Sequence, residues 1–289
     1  MQYKRKLKAG VILAVLICLT GCGAKAPKTA SSAGNINFVA SGHSNVSSII
    51  EQTKTAARQK AEEVAEQIRV EQEQKNPRKG YLIAIDAGHQ AQGNSEKEPI
   101  GPGATESKAK VAGGTRGVAT GIPEYELTLQ VSLKLRDALE EKGYQVLMIR
   151  ETNDVNISNA ERATMANEAG ANAFIRIHGD GSESSSAAGM MTICQTPSNP
   201  YNGELYQQSR ALADCILNQT AAATGGVKRN VWETDTMSGI NWAKVPTTIL
   251  EMGFMTNPSE DQQMASDDYQ MKIVEGIVKG MDAFFGIEE

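Results

Sequence analysis

Two of the three histidines follow apolar runs of strand length. His89 comes after Tyr81-Leu82-Ile83-Ala84-Ile85 in the order Ile85-Asp86-Ala87-Gly88-His89, and His178 comes after Ala173-Phe174-Ile175-Arg176-Ile177. Glu251 stands in the same relation to Thr247-Thr248-Ile249-Leu250, and Glu124 opens a long helical pattern. Ligands in open α/β sheets gather beyond the carboxyl ends of the strands, so polar residues at three strand ends are expected to converge. Two imidazoles and a carboxylate that leave a fourth position open make a hydrolytic zinc arrangement, in which bound water reaches a pKa of about 7. A second carboxylate then serves as general base and later protonates the leaving amine. Spacing alone does not say which glutamate is the ligand and which the base. The third histidine, His43, lies far upstream in polar sequence and is expected to be solvated.

The elements that must position these residues occupy the last 210 residues, 80–289, which read as a single α/β domain. Four runs (81–85, 145–149, 173–177 and 247–250) are almost continuously apolar, as strands of a sheet covered on both faces are. The segment from Leu127 alternates like a strand but continues for about 19 residues to Gly143, too long for a typical strand; with Pro123 at a helix N1 position and Gly143 just past the end, it reads as a helix. Ser158 with Glu161, and Ser259 with Gln262, have capping-box spacing. A final helix repeats Ile273, Ile277, Met281 and Phe284 and stops at Gly286.

The first 21 residues are expected to be removed. Lys4, Arg5, Lys6 and Lys8 precede an apolar run of about a dozen residues, too short to span a membrane and suited to a signal peptide. The run ends in Leu19-Thr20-Gly21-Cys22, which resembles a bacterial lipobox and implies lipidation of Cys22. Cleavage takes the net charge from −5 to −9. An acidic chain with 5% aromatic residues carries no footprint for nucleic acid. Cys194 and Cys215 have no metal-site spacing and are expected to be buried, inert thiols, although pairing is open to them outside the cytoplasm. Residues 22–47, rich in Ala, Ser, Gly and Asn, read as a flexible tether, and 48–76 as an exposed helical stalk with a thin apolar stripe. Together these give a reach of roughly 28 Å and roughly 40 Å, enough to hold a domain off an outer membrane face.

The four separated motifs, Ile85-Asp86-Ala87-Gly88-His89, Pro123-Glu124-Tyr125-Glu126-Leu127, Ile177-His178-Gly179-Asp180 and Glu251-Met252-Gly253-Phe254-Met255-Thr256-Asn257, resemble in order those of the zinc-dependent N-acetylmuramoyl-L-alanine amidases of the Amidase_3 family. The resemblance covers about residues 80–287. It implies a twisted, mainly parallel sheet of about six strands with helices on both faces, one zinc ion held by His89, Glu124 and His178, and Glu251 as the catalytic carboxylate. It implies that the substrate is peptidoglycan, cleaved at the amide between N-acetylmuramic acid and L-alanine. Glu126, two residues beyond Glu124, points to another side of the helix. The chain departs from the family in two places: Asp180 stands where many relatives have Asn, and a segment spanning 90–121 replaces a short turn.

That segment is expected to be a lid or a wall of the substrate groove. A second loop, 228–244, holds both tryptophans and is expected to line the cleft, with Asp180, Arg229 and Asn241 as substrate contacts. Two other readings stay open: a catalytically silent, wall-binding scaffold lipoprotein, and a zinc peptidase acting within the stem peptide.

Overall fold

The computed structural model describes residues 43–288. The expected signal peptide, Cys22 and the tether up to residue 42 lie outside the described residues. The chain divides between Val64 and Ala65. Helix α1 (His43–Gln74) begins five residues before the expected start of the stalk, taking in residues assigned to the tether. Nothing in Ser44-Asn45-Val46-Ser47 breaks a helix, since neither Gly nor Pro occurs there. Residues 51–71 of α1 are exposed throughout, apolar Val64 and Ile68 included. Among the described residues no helix is long and apolar enough to cross a membrane.

The rest of the chain is built on one six-stranded sheet of β1 (Leu82–Ala87), β4 (Gln145–Met148), β5 (Ala173–Asp180), β6 (Met190–Cys194), β7 (Lys228–Glu233) and β8 (Thr247–Phe254), ordered β4-β1-β5-β8-β6-β7. All neighbours are parallel except β6 and β8. Helices cover both faces. On one, Leu127, Val131, Leu135 and Leu139 of α2 (Glu124–Lys142) pack with Ile273, Ile277 and Met281 of α7 (Asp267–Phe284) over Ile83, Ile85, Ile175 and Ile177, joined by α4 (Tyr206–Thr224). On the other, Ala163 and Ala166 of α3 (Asn159–Glu168) meet Ala84 and Phe174. A strand with both faces buried has no polar side to show, hence its unbroken apolar sequence.

Several local readings are refined. The long alternating segment is the helix α2; Pro123 is its N-cap, one position earlier than expected, and Gly143 ends it in the left-handed region at φ 97°. Ser158 and Glu161 form the capping box of α3. The second expected box does not form: Asn257 caps α6 (Pro258–Met264) by accepting from the backbone N–H groups of Ser259 and Glu260, because Pro258 takes the N1 position. β5 and β8 run on past the expected strand ends, so His178 and Glu251 lie within paired strands, opposite one another in register.

Within the 90–121 segment, β2 (Asn94–Pro99) and β3 (Ser107–Val111) pair as an antiparallel hairpin. The 228–244 segment is not one loop: it is the edge strand β7, a turn, and the short helix α5 (Ser238–Asn241). Cys194 and Cys215 are free thiols. Cys194 is buried and Cys215 only half-buried. Burial, with the Glu233 charge nearby, pushes the Cys194 thiol up to about 12, which keeps it protonated and inert at neutral pH.

Candidate active site

Three side chains meet at the carboxyl end of the sheet. His89 Nε2 lies 3.0 Å from Glu124 Oε1, His178 Nδ1 lies 3.1 Å from the same oxygen, and the two ring nitrogens are 3.2 Å apart. Each comes from a different element: the turn after β1, the first residue of α2, and β5.

The turn after β1 is held from below. The Gly88 amide donates to the Ile177 carbonyl at 2.9 Å, and the Thr128 hydroxyl donates to the Gly88 carbonyl at 2.8 Å. His89 itself sits at φ 62°, the one non-glycine residue at positive φ among the described residues. Beneath it Asp86, fully buried, accepts from Arg162 at 2.6 Å and from Arg176 at 2.8 Å. The two guanidinium charges outweigh the effect of burial and hold the Asp86 carboxyl well below the usual range.

Glu124 is buried, whereas Glu126 is exposed. A carboxylate at a helix N-terminus is favoured by the helix dipole. Its Oε2 accepts from the Thr115 amide at 2.8 Å and its Oε1 from the Gly179 amide at 3.1 Å. Burial alone would raise its pKa, but the hydrogen bonds from His178 and His89 outweigh it and keep the group ionised. Burial likewise would lower the pKa of His89, but the bond to Glu124 reverses the sign. At His178 burial prevails and the pKa falls to about 4, leaving a neutral imidazole at pH 7.

These groups can hold a metal ion. Zinc bonds of 2.0–2.1 Å at tetrahedral angles separate neighbouring donor atoms by about 3.3 Å, close to the observed spacings. The Nδ1 of His89 lies 2.9 Å from the Ala112 carbonyl. That oxygen can only accept, so Nδ1 carries a proton, and once Nε2 gives up the proton it shares with Glu124 its lone pair faces the other two donors.

Glu251 opens into the same cleft, of about 660 Å³. Its Oε2 is buried without a hydrogen-bond partner. Burial, reinforced by the charges of Glu124 and Asp180, raises its pKa well above the usual value. A carboxyl group poised to exchange a proton is what amide hydrolysis requires.

The expected substrate contacts divide. Asp180 lines the cleft. Arg229 does not; it pairs with Asp180 at 3.3 Å and lies over the Phe254 ring, 5.0 Å from its centroid. Asn241 is 1% exposed, and its amide nitrogen donates to the carbonyls of Ile100 and Asp235 while its oxygen accepts from Asn199. It therefore holds the hairpin against α5 and is not brought into the cleft. Trp232 is exposed on β7, and the Trp242 indole donates to the Pro99 carbonyl. The cleft walls come instead from the hairpin (Lys97, Lys108) and the start of α5 (Ser238, Gly239). Sequence reasoning missed Asp86, Arg162 and Arg176 as a unit. Charges of opposite sign inside two otherwise apolar strands were the available signal.

An α/β sheet that carries a His–Glu–His group beside a buried carboxylate is the class of site that metal-dependent hydrolases use. The chain belongs to the N-acetylmuramoyl-L-alanine amidase family Amidase_3, whose model matches residues 83–283. It is 31% identical over 209 residues to the uncharacterized protein YqiI of Bacillus subtilis, covering 72% of this chain and 87% of that one. It is 28% identical over 220 residues to the N-acetylmuramoyl-L-alanine amidase Rv3717 of Mycobacterium tuberculosis, covering 72% and 88%. Among solved structures, the amidase Ami1 of Mycobacterium smegmatis matches with a TM-score of 0.66 at 27% identity, covering 72% of this chain and 98% of that one.

Proposed function

We propose that this enzyme hydrolyses the amide between N-acetylmuramic acid and L-alanine in peptidoglycan, using one zinc ion held by His89, Glu124 and His178. The observation that carries this reading is the shared oxygen: Glu124 Oε1 lies 3.0 and 3.1 Å from a nitrogen of each histidine, with the unpartnered Glu251 carboxyl in the same cleft. When bound, the ion supplies Lewis acidity, polarising the amide carbonyl and making water acidic enough to attack at neutral pH. Glu251 Oε2 takes the proton of the attacking water and returns it to the alanine nitrogen as the C–N bond breaks. Asp180 lines the cleft beside this position and contacts the substrate; Arg229 fixes its carboxylate. The lipobox-like Leu19-Thr20-Gly21-Cys22 supports attachment of the mature chain to the outer face of the membrane through lipid on Cys22, with peptidoglycan within reach.

Digestion of purified peptidoglycan, with and without a chelator, tests the reading by mass analysis of the products. Free peptides beginning with L-alanine, lost on chelation and restored by zinc, are expected. Peptides cut internally would identify a zinc peptidase, and binding without products would identify a scaffold.

A further inference from the structure

The cleft carries charges of both signs. One set of its side chains is the His–Glu–His group with Glu251 and Asp180. A second, cationic set of side chains lines the same cleft: Lys97 and Lys108 of the hairpin and Arg176 of β5. Three arginines around the site, Arg150, Arg162 and Arg176, are none of them more than 3% exposed. Among the described residues one carboxylate, Asp86, contacts any of them. Arg150 spends its guanidinium on neutral groups, including the Ala87, Thr152, Gly88 and Tyr125 carbonyls. Arg162 divides its own between Asp86, the Gln90 side-chain oxygen and the Ala87, His89 and Ile157 carbonyls.

Arg176 is different. Its Nε donates to Asp86 and its Nη2 to Asn159 Oδ1 at 2.6 Å, but its Nη1 has no acceptor among the described residues. A Cβ added at Gly239 would fall 1.7 Å from Nη1, so the absence of a side chain there makes room for the guanidinium. The lysines add uncompensated charge. Lys108 Nζ reaches only the Thr236 carbonyl, at 2.7 Å, and no acidic side chain among the described residues pairs with Lys97. The neighbouring Glu98 carboxylate is turned to the Ala160 amide. Asp86 is shared by Arg162 and Arg176, so the buried guanidinium groups carry more positive charge than it neutralises, and such an excess is costly unless a ligand supplies a counter-charge.

We infer that Arg176, Lys97 and Lys108 form a subsite for a carboxylate of the substrate's peptide, namely the α-carboxylate of an acidic residue that follows L-alanine. This rests on the amidase reading and adds a direction to it. The sugar side of the scissile amide offers neutral hydroxyl and acetamido groups, and the peptide side offers carboxylates. The peptide therefore runs from Glu251 toward the hairpin and α5. The cleft volume suits a ligand of a few residues.

The test is a binding titration of the full, zinc-loaded chain with two tripeptides. They are L-Ala-γ-D-Glu-L-Lys-amide and the analogue whose glutamate α-carboxylate is a carboxamide. The carboxylate form should bind roughly tenfold more tightly, as a charge-assisted contact predicts. Lys97→Glu, at an exposed hairpin position, should remove most of that preference, and Arg176→Lys should reduce it where the variant folds. Equal affinity for the two peptides, no binding of either, or an unchanged preference in Lys97→Glu overturns the proposal. Neither peptide contains the muramoyl amide, so the titration reads the subsite whether or not the protein cleaves peptidoglycan. Discriminating binding together with an inactive digest would overturn the amidase reading alone.

Discussion

Arg162 donates through Nη2 to the backbone carbonyl of His89 at 3.0 Å. The acceptor belongs to a residue held at φ 62°, a conformation that costs a non-glycine residue roughly 1–2 kcal/mol. Arg162 is fully buried, and Asp86 at 2.6 Å neutralises it. One buried ion pair thus holds the turn that aims the His89 ring. Removing Arg162 should let that turn relax before it unfolds the sheet. Arg162→Met is expected to weaken zinc binding roughly 10–100-fold, as loss of an outer-shell support typically does. Competition with a fluorescent chelator measures this, and far-UV circular dichroism checks that the sheet survives. Unchanged zinc affinity in a folded variant would refute the positioning role.

Gly88 separates the two histidines differently. A Cβ there would lie 2.4 Å from His178 Cε1 and 2.5 Å from its Nε2, so the imidazole must tilt to admit a methyl group. Gly88→Ala should lower stability by about 1–3 kcal/mol through overpacking. It should also lower zinc affinity, because the displaced ring is one of the three grouped donors. Thermal melts with and without zinc separate the two effects: the stabilisation conferred by zinc should shrink in the variant.

Glu251 is assigned proton transfer and no share in holding metal. Glu251→Gln keeps the shape and removes the titratable proton. Turnover should fall roughly 10²–10⁴-fold, while zinc content measured by mass spectrometry stays at the wild-type level. Loss of zinc would show that Glu251 and Glu124 had been given each other's roles.

What the sequence made legible follows from how each element is stabilised. His89, Glu124 and His178 were readable because each adjoins an apolar element whose end could be located. The helix α2 was readable despite its alternating leucines because 19 residues without Gly or Pro exceed a strand. The hairpin was not: Asn94–Pro99 and Ser107–Val111 are mostly polar, and their anchors are long-range, such as Glu98 to the Ala160 amide and Asn241 to the Ile100 carbonyl. β7 was hidden for a similar reason. As an edge strand with no fully buried residue, it shows no apolar pattern. β6 is the opposite case, five buried residues too short to distinguish from a turn between a serine-rich stretch and Pro197. Asn241 misled because a polar side chain near a cleft reads as a ligand contact, and only coordinates reveal that its amide is already occupied.

The last prediction concerns stability away from the cleft. Asp282 of α7 accepts both Arg78 Nε and Arg78 Nη2 at 2.8 Å, and the Tyr144 hydroxyl at 2.7 Å. This cluster ties the turn before β1 to the final helix. Burial would raise the Asp282 pKa, but the hydrogen bonds from Arg78 and Tyr144 and the Arg78 charge outweigh it and hold it below the ordinary value of 3.8. A carboxyl with a depressed folded-state pKa binds protons more readily when unfolded, so its contribution is complete above the unfolded value. That contribution is lost as pH falls through the folded value. In Asp282→Asn the cluster loses its charge, and stability near pH 7 should drop by about 2 kcal/mol, below the full cost of breaking a deeply buried pair because Arg78 is partly exposed. For a domain of this size that corresponds to a melting temperature lower by roughly 4–8 °C. The gap between wild type and variant should narrow as pH is lowered below about 4. Urea titrations at neutral pH and at successively lower pH values measure it, and a gap that stays constant or widens on acidification would contradict the assignment.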